Sequence, residues 1–259
     1  MAYGKQLIKV LRHPVRFVSV LRTVLTWLEI YFTTQNETDE DAAEVIETEA
    51  DDRIAPDGQA IYPYLFACVY ILFVAWYLMD KVSVGEYRKA REAFLKMIHE
   101  ARAAFRAKPS RMRDRSRLDH PLVRFTQTVD GPTNCFPSLH VALVTLSYQI
   151  IKQHAPDDAL LLSAMRESCI EICRSTMRTK QHSIIDVIGG IELARRAVDA
   201  HFGGAFEDLT TVTLPELTPD EVAQIRAIVS GRPDLPELGR ELLRLFGVKR
   251  GAPGARTRG

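Results

Sequence analysis

Ile61 to Met79 reads IYPYLFACVYILFVAWYLM, a run with no charged residue that is closed by Asp80 and Lys81. Its length just reaches the roughly 20 residues a helix needs to cross a bilayer, and its tyrosines and Trp76 suit a membrane interface. A helix that is apolar all round either spans lipid or fills a core. The neighbouring segments keep the helical period. Val84 to Ala107 is a charged amphipathic helix, too polar for lipid. Phe136 to Ile151 and Ala159 to Cys173 are further apolar stretches, and Arg166, Glu167 and Glu171 place the second of these in a packed bundle rather than facing lipid. Ser183 to Phe202 forms another helix, in which Gly189-Gly190 allows close helix contact or a bend. No alternating strand series appears. The expected fold is all-α, a helical bundle with one transmembrane or fully buried helix.

Outward from this centre, residues 1–36 are expected as a basic amphipathic N-terminal helix, with Leu7 to Phe32 repeating apolar residues around Arg12, Arg16 and Arg22. Such a helix packs on a core or lies on a membrane surface. Residues 37–60 are expected as an acidic flexible loop, and 61–204 as the bundle. Residues 205–250 form a small C-terminal helical segment. There Thr218-Pro219-Asp220-Glu221 is a capping box opening a helix to about Val229, and Pro236 to Phe246 makes one more. Residues 251–259 are expected as a disordered tail.

The chain has 259 residues, with 34 Lys and Arg against 33 Asp and Glu, a balance that recruits no polyanion. No nucleic-acid-binding motif accompanies the charges, so nucleic acid is not expected as a partner. The arginine-dense run from Arg102 to Arg124 is a solvated face, a contact for acidic lipid headgroups, or a contact for a substrate phosphate. Cys68, Cys135, Cys169 and Cys173 lack metal-ligand spacing and are read as free thiols.

Two stretches carry chemistry. In Asp130-Gly-Pro-Thr-Asn-Cys-Phe-Pro-Ser-Leu-His140, turn residues deliver Ser138 and His140 to the start of an apolar helix. Unpaired N–H groups and the positive dipole end favour a phosphate there, and Pro137 sits near the first turn, where proline is tolerated. In Ser175-Thr-Met-Arg-Thr-Lys-Gln-His182-Ser-Ile-Ile-Asp186, His182 and Asp186 stand four apart, on one face if helical. A carboxylate so placed holds one imidazole nitrogen protonated and leaves the other to attack. Arg178 and Lys180 can neutralise phosphate charge; Ser175 can bind phosphate or cap a helix. Phosphoryl transfer needs this set of nucleophile, acid and cations. Two histidines with an aspartate also make a metal-ligand set.

Phe136-Pro-Ser-Leu-His140 resembles the middle motif of the type-2 phosphatidic acid phosphatase superfamily, whose soluble relatives include vanadium haloperoxidases, and Ser175 to Asp186 resembles its last motif. The form "ST…TKQH…DV..G" is similar to the inositol phosphorylceramide synthase-like branch. The resemblance implies a helical bundle, His182 as a nucleophile forming a phosphohistidine, and Asp186 as its orienter. It also implies His140 as acid to the leaving group and Ser138 as a phosphate ligand. It implies a phosphatase acting on a lipid phosphate or isoprenoid diphosphate, membrane-associated, without metal or other cofactor, and binding vanadate as a phosphate mimic. A group transferase of the same family, or a degenerate phospholipid-binding scaffold, are the alternatives. Thr176 stands where the family has arginine. The first motif is met only loosely, by Lys81 with Arg88 or Lys108 with Arg115, neither followed by proline.

Overall fold

The computed structural model describes residues 13–113, 115 and 118–230. The expected helix over Pro236 to Phe246 and the tail 251–259 lie outside these residues. The fold is all-α apart from one pair of two-residue strands. At its centre runs α6 (Leu139–His154), apolar on nearly every face and buried throughout from Val141 to Ile151. Around α6 pack α3 (Ile61–Lys81), α4 (Val84–Ala107), α7 (Ala159–Arg178) and α8 (Ile184–His201). On α4, small residues such as Ala90, Ala93 and Ala101 alternate with Met97, Ile98 and Phe105 on the buried face, and α8 packs against it. The N-terminal helix α1 (Pro14–Glu37) also lies on α4, so the amphipathic helix packs on the bundle. Arg16 fastens it by donating to the Met79 and Val82 carbonyls at the end of α3, at 2.8 and 2.9 Å.

The approach of α8 to α6 depends on Gly189 and Gly190. A Cβ at Gly190 would stand 2.5 Å from the Ser138 carbonyl oxygen, and one at Gly189 would stand 2.6 Å from the Phe136 ring. The glycine pair therefore serves close contact between α8 and the turn that opens α6.

Segment 37–60 departs from the expected flexible loop. It forms β1 (Glu44–Val45), α2 (Glu49–Arg53) and a 3-10 turn (Gly58–Ala60), with Ile46 and Ala50 in the core. Strand β1 pairs in parallel with β2 (Ser110–Arg111), inside the arginine-rich run. The physical reason is apolar burial joined to charge complementarity between two segments far apart in sequence. Glu37 pairs with Arg106, Glu44 with Lys108 at 3.1 Å, and Asp52 with Arg113 at 3.9 Å. Each exposed pair contributes at most about 1 kcal/mol, so burial of Ile46 and Ala50 carries the docking and the charges set its register.

Nor is α3 fully buried. Gly58–Lys81 is long and apolar enough to cross a membrane by length and composition, but only 33% of its most apolar window is buried. Tyr62, Phe66, Val69 and Leu72 face outward. The short α5 (Pro121–Val129) adds Phe125, 66% exposed, and α1 adds Leu21 and Leu25. At the C-terminal side, α9 (Thr210–Thr213) leads to α10 (Pro219–Ser230), which opens on the expected Thr218–Glu221 capping box.

Candidate active site

Ser138 is the N-cap of α6; its hydroxyl oxygen accepts from the Val141 N–H at 3.2 Å. Its own N–H donates to the Asp186 carbonyl at 3.0 Å, which ties the start of α6 to the first turn of α8. Pro137 precedes the cap, in a cis Phe136–Pro137 peptide, rather than lying inside the first turn. His140 follows in that turn, its ring stacked on Tyr64 with centroids 4.2 Å apart. The His140 Nε2 is buried with no hydrogen-bond partner. Burial, and then the neighbouring His182, push its pKa down to about 3. His140 is therefore neutral at ordinary pH in the free protein.

His182 reaches the same place by a sharp reversal. After α7 ends at Arg178, Lys180 takes a left-handed conformation with φ of 56°. The amides of Gln181 and His182 then both donate to the Thr176 carbonyl, at 3.0 and 3.1 Å. His182 consequently stands just before Ser183, the N-cap of α8, and not on the helix as the four-residue spacing predicts. The pairing with Asp186 survives for a different reason. Asp186 folds back as the capping-box residue, accepting the Ser183 N–H on Oδ2 at 2.7 Å, and this carries Oδ2 to 3.6 Å from the His182 Nδ1. Both side chains are buried, and neither Nδ1 nor the Asp186 Oδ1 has a hydrogen-bond partner.

Sequence reasoning missed Asp51, from α2 in the segment read as a loop. Its carboxylate accepts the Thr48 and Ile184 amides at 2.8 and 2.7 Å, while its carbonyl accepts Lys180 Nζ at 2.9 Å. Asp51 thus grips the His182 turn on both sides. Burial raises its pKa to about 6, against the lowering effect of those hydrogen bonds. A signal existed in the capping-box spacing of Thr48 and Asp51.

Arg115, in the sequence only a loose match to the first motif, also reaches this region. One Nη donates to the Asp130 carbonyl at 2.8 Å and the other to the side-chain oxygen of Gln181, the residue before His182. Asp130 in turn accepts the hydroxyls of Tyr31 and Tyr64. Of the two loose lysine–arginine pairs, Lys108 is engaged with Glu44 and Lys81 with Asp80. Arg115 is the member of these pairs whose bond to Gln181 brings it to the residue before His182.

Ser138, His140, His182 and Asp186 are therefore brought together, whereas the other expected phosphate ligands are engaged elsewhere. Ser175 lies inside α7 rather than at a cap, its buried hydroxyl donating to the Ile172 carbonyl at 2.6 Å. Arg178 is drawn to Glu171 and Asp57. Lys180 spends a hydrogen bond on Asp51.

His140 and His182 line one wall of a cavity of about 310 Å³, whose other walls include Trp27, Phe32, Leu65 and Phe125. One ligand atom each from Cys135, His182 and Asp186 lie within 4.8 Å of one another, a donor set of zinc type. Burial, then the charge of Asp186, push the Cys135 thiol well above its ordinary pKa, so the sulfur rests as a thiol. Compared with protein-family models, curated proteins and solved structures, the chain matches none.

Proposed function

We propose that this chain is a membrane-associated phosphatase that hydrolyses a lipid phosphate or isoprenoid diphosphate through a phosphohistidine at His182, in a bundle of the phosphatidic acid phosphatase type. The observation that carries this reading is the convergence of two histidines with unlike surroundings on one cavity, one beside a buried carboxylate and one without. In the first step His182 Nε2 attacks phosphorus and the bond to the leaving oxygen breaks. His140, protonated once a phosphate dianion lies beside it, gives its proton to that oxygen. Asp186 stabilises the charge that develops on His182 through Nδ1. In the second step His140 takes a proton from water, whose oxygen attacks the phosphohistidine and releases phosphate.

In this reading the start of α6 receives the entering phosphate beside the Ser138 hydroxyl, and Arg115, held by Gln181 next to His182, supplies positive charge. No metal or other cofactor enters this scheme. A non-hydrolysing scaffold that binds phosphorylated lipid is the second reading, favoured by the engagement of Arg178 and Lys180 elsewhere. The test is phosphate release from phosphatidic acid and from farnesyl diphosphate. Release that vanadate suppresses, and that His182→Ala lowers at least about a thousandfold, is the expected result. A folded wild-type protein that binds vanadate but releases nothing from either substrate would favour the scaffold.

A further inference from the structure

Beyond the histidine cavity lies a second one of about 280 Å³, between α1, α3 and α4, lined by residues such as Val20, Val24, Ala75, Leu78 and Phe94. The two cavities share Trp27, Cys68, Ile71 and Leu143, so these four side chains form the boundary, or neck, between them. Thr23 and Tyr87, polar side chains on the second cavity, are turned to other tasks. The Thr23 hydroxyl donates to the Ser19 carbonyl at 3.0 Å and the Tyr87 hydroxyl to the Arg16 carbonyl at 3.1 Å, while Arg91 also lines the cavity, its Nε buried without a hydrogen-bond partner. Followed along α3, the paired cavities run from Tyr64 to Leu78. At 1.5 Å per residue that is about 21 Å. One leaflet of a bilayer, half of a hydrocarbon core of about 30 Å, accommodates an acyl chain in roughly 15 Å. The groove is therefore long enough for one extended chain, apolar along its length, and ends on the two histidines.

We infer that this groove binds a single hydrocarbon chain of the phosphorylated substrate, and that the neck of Trp27, Cys68, Ile71 and Leu143 sets how long a chain is accepted. The inference rests on the phosphatase reading for the identity of the head group at His140 and His182. It goes further by making the substrate a single-chain phosphate, the chain threaded along α3 and the phosphate at the start of α6. A short chain fills only the histidine cavity. A long one passes the neck and fills the second.

The measurement is binding of unbranched alkyl monophosphates of graded length, below their micelle concentrations, read by Trp27 fluorescence in a Trp76→Phe, His182→Ala background. The sequence holds 2 tryptophans, so Trp27 is then the sole reporter. Affinity should rise about fourfold per added methylene and level off when the groove is full. Cys68→Phe, at an exposed position of α3 that tolerates substitution, should leave short chains unaffected and bring the plateau to shorter ones. Independently, a long alkyl phosphate should protect Cys68 of the wild type from maleimide at least tenfold, since the other cysteines are buried. Affinity indifferent to chain length, or a Cys68→Phe effect equal at all lengths, would overturn the groove. Because binding is read in the His182→Ala protein, which lacks the proposed nucleophile, length-dependent binding there with no phosphate release by the wild type would sink the phosphatase alone. Release without length dependence would sink the groove alone.

Discussion

At the residue scale, the decisive contrast is between the two histidines. His182 has a buried carboxylate 3.6 Å from Nδ1, whereas His140 has an aromatic ring on its face and an orphaned Nε2. Burial and His182 hold the pKa of His140 near 3, so the free protein carries it neutral. A phosphate dianion beside it reverses this balance, because a nearby opposite charge favours the protonated ring. Vanadate or phosphate binding near pH 7 should therefore take up close to one proton. Calorimetry in two buffers of different ionisation enthalpy measures it, and His140→Gln should abolish the uptake while the protein stays folded. Heats independent of the buffer would remove His140 from the role of acid.

At the element scale, the small helix α2 acts on the site without lining it. Asp51 accepts the Ile184 amide and, through its carbonyl, the Lys180 ammonium, so it holds both flanks of the His182 turn. Asp51→Ala leaves the buried Ile184 and Thr48 N–H groups without acceptors, at about 1–3 kcal/mol. Asp51→Asn keeps a neutral acceptor and should cost less. The pH dependence has a definite sign. The folded-state pKa, about 6, lies above the ordinary 3.8, so the native state holds the proton more tightly. The contribution of Asp51 is fully present below about pH 4 and is lost as pH rises through about 6. His140, held low, contributes the opposite slope in both proteins, so urea unfolding between pH 4.5 and 7 should show the stability difference between wild type and Asp51→Asn moving against the wild type as pH rises.

At the scale of the whole molecule, the outward faces of α1, α3 and α5 join Leu21, Leu25, Phe66, Val69, Leu72 and Phe125 on the exposed surface. Exposed apolar groups of this kind mark a contact surface, and the phosphatase reading assigns it to lipid. The protein should float with neutral phosphatidylcholine vesicles at high salt, since apolar contact is not screened. Val69→Glu with Leu72→Glu should lower partitioning at least tenfold, each lost apolar contact being worth about 1.5–3 kcal/mol. Wild-type protein that stays in solution beside intact vesicles would sink the membrane assignment.

Much of the architecture was legible in the chain alone. The helical period, the Thr218 capping box and the charge of α4 each depend on neighbours within a few turns, so local spacing suffices to place them. The motifs around His140 and His182 were legible for the same reason, each being one continuous turn. What required tertiary structure was everything that joins distant segments. The docking of the acidic stretch onto the arginine run, Asp51 beneath His182, and Arg115 beside Gln181 all depend on partners more than sixty residues apart. The partners of Arg178 and Lys180 were decided likewise, since Glu171 and the Asp51 carbonyl engage them once the chain is folded. Local sequence determines where a side chain sits on its own turn. Only the packed bundle decides which charges remain for a ligand, because that choice is a competition among partners the folding itself brings within reach.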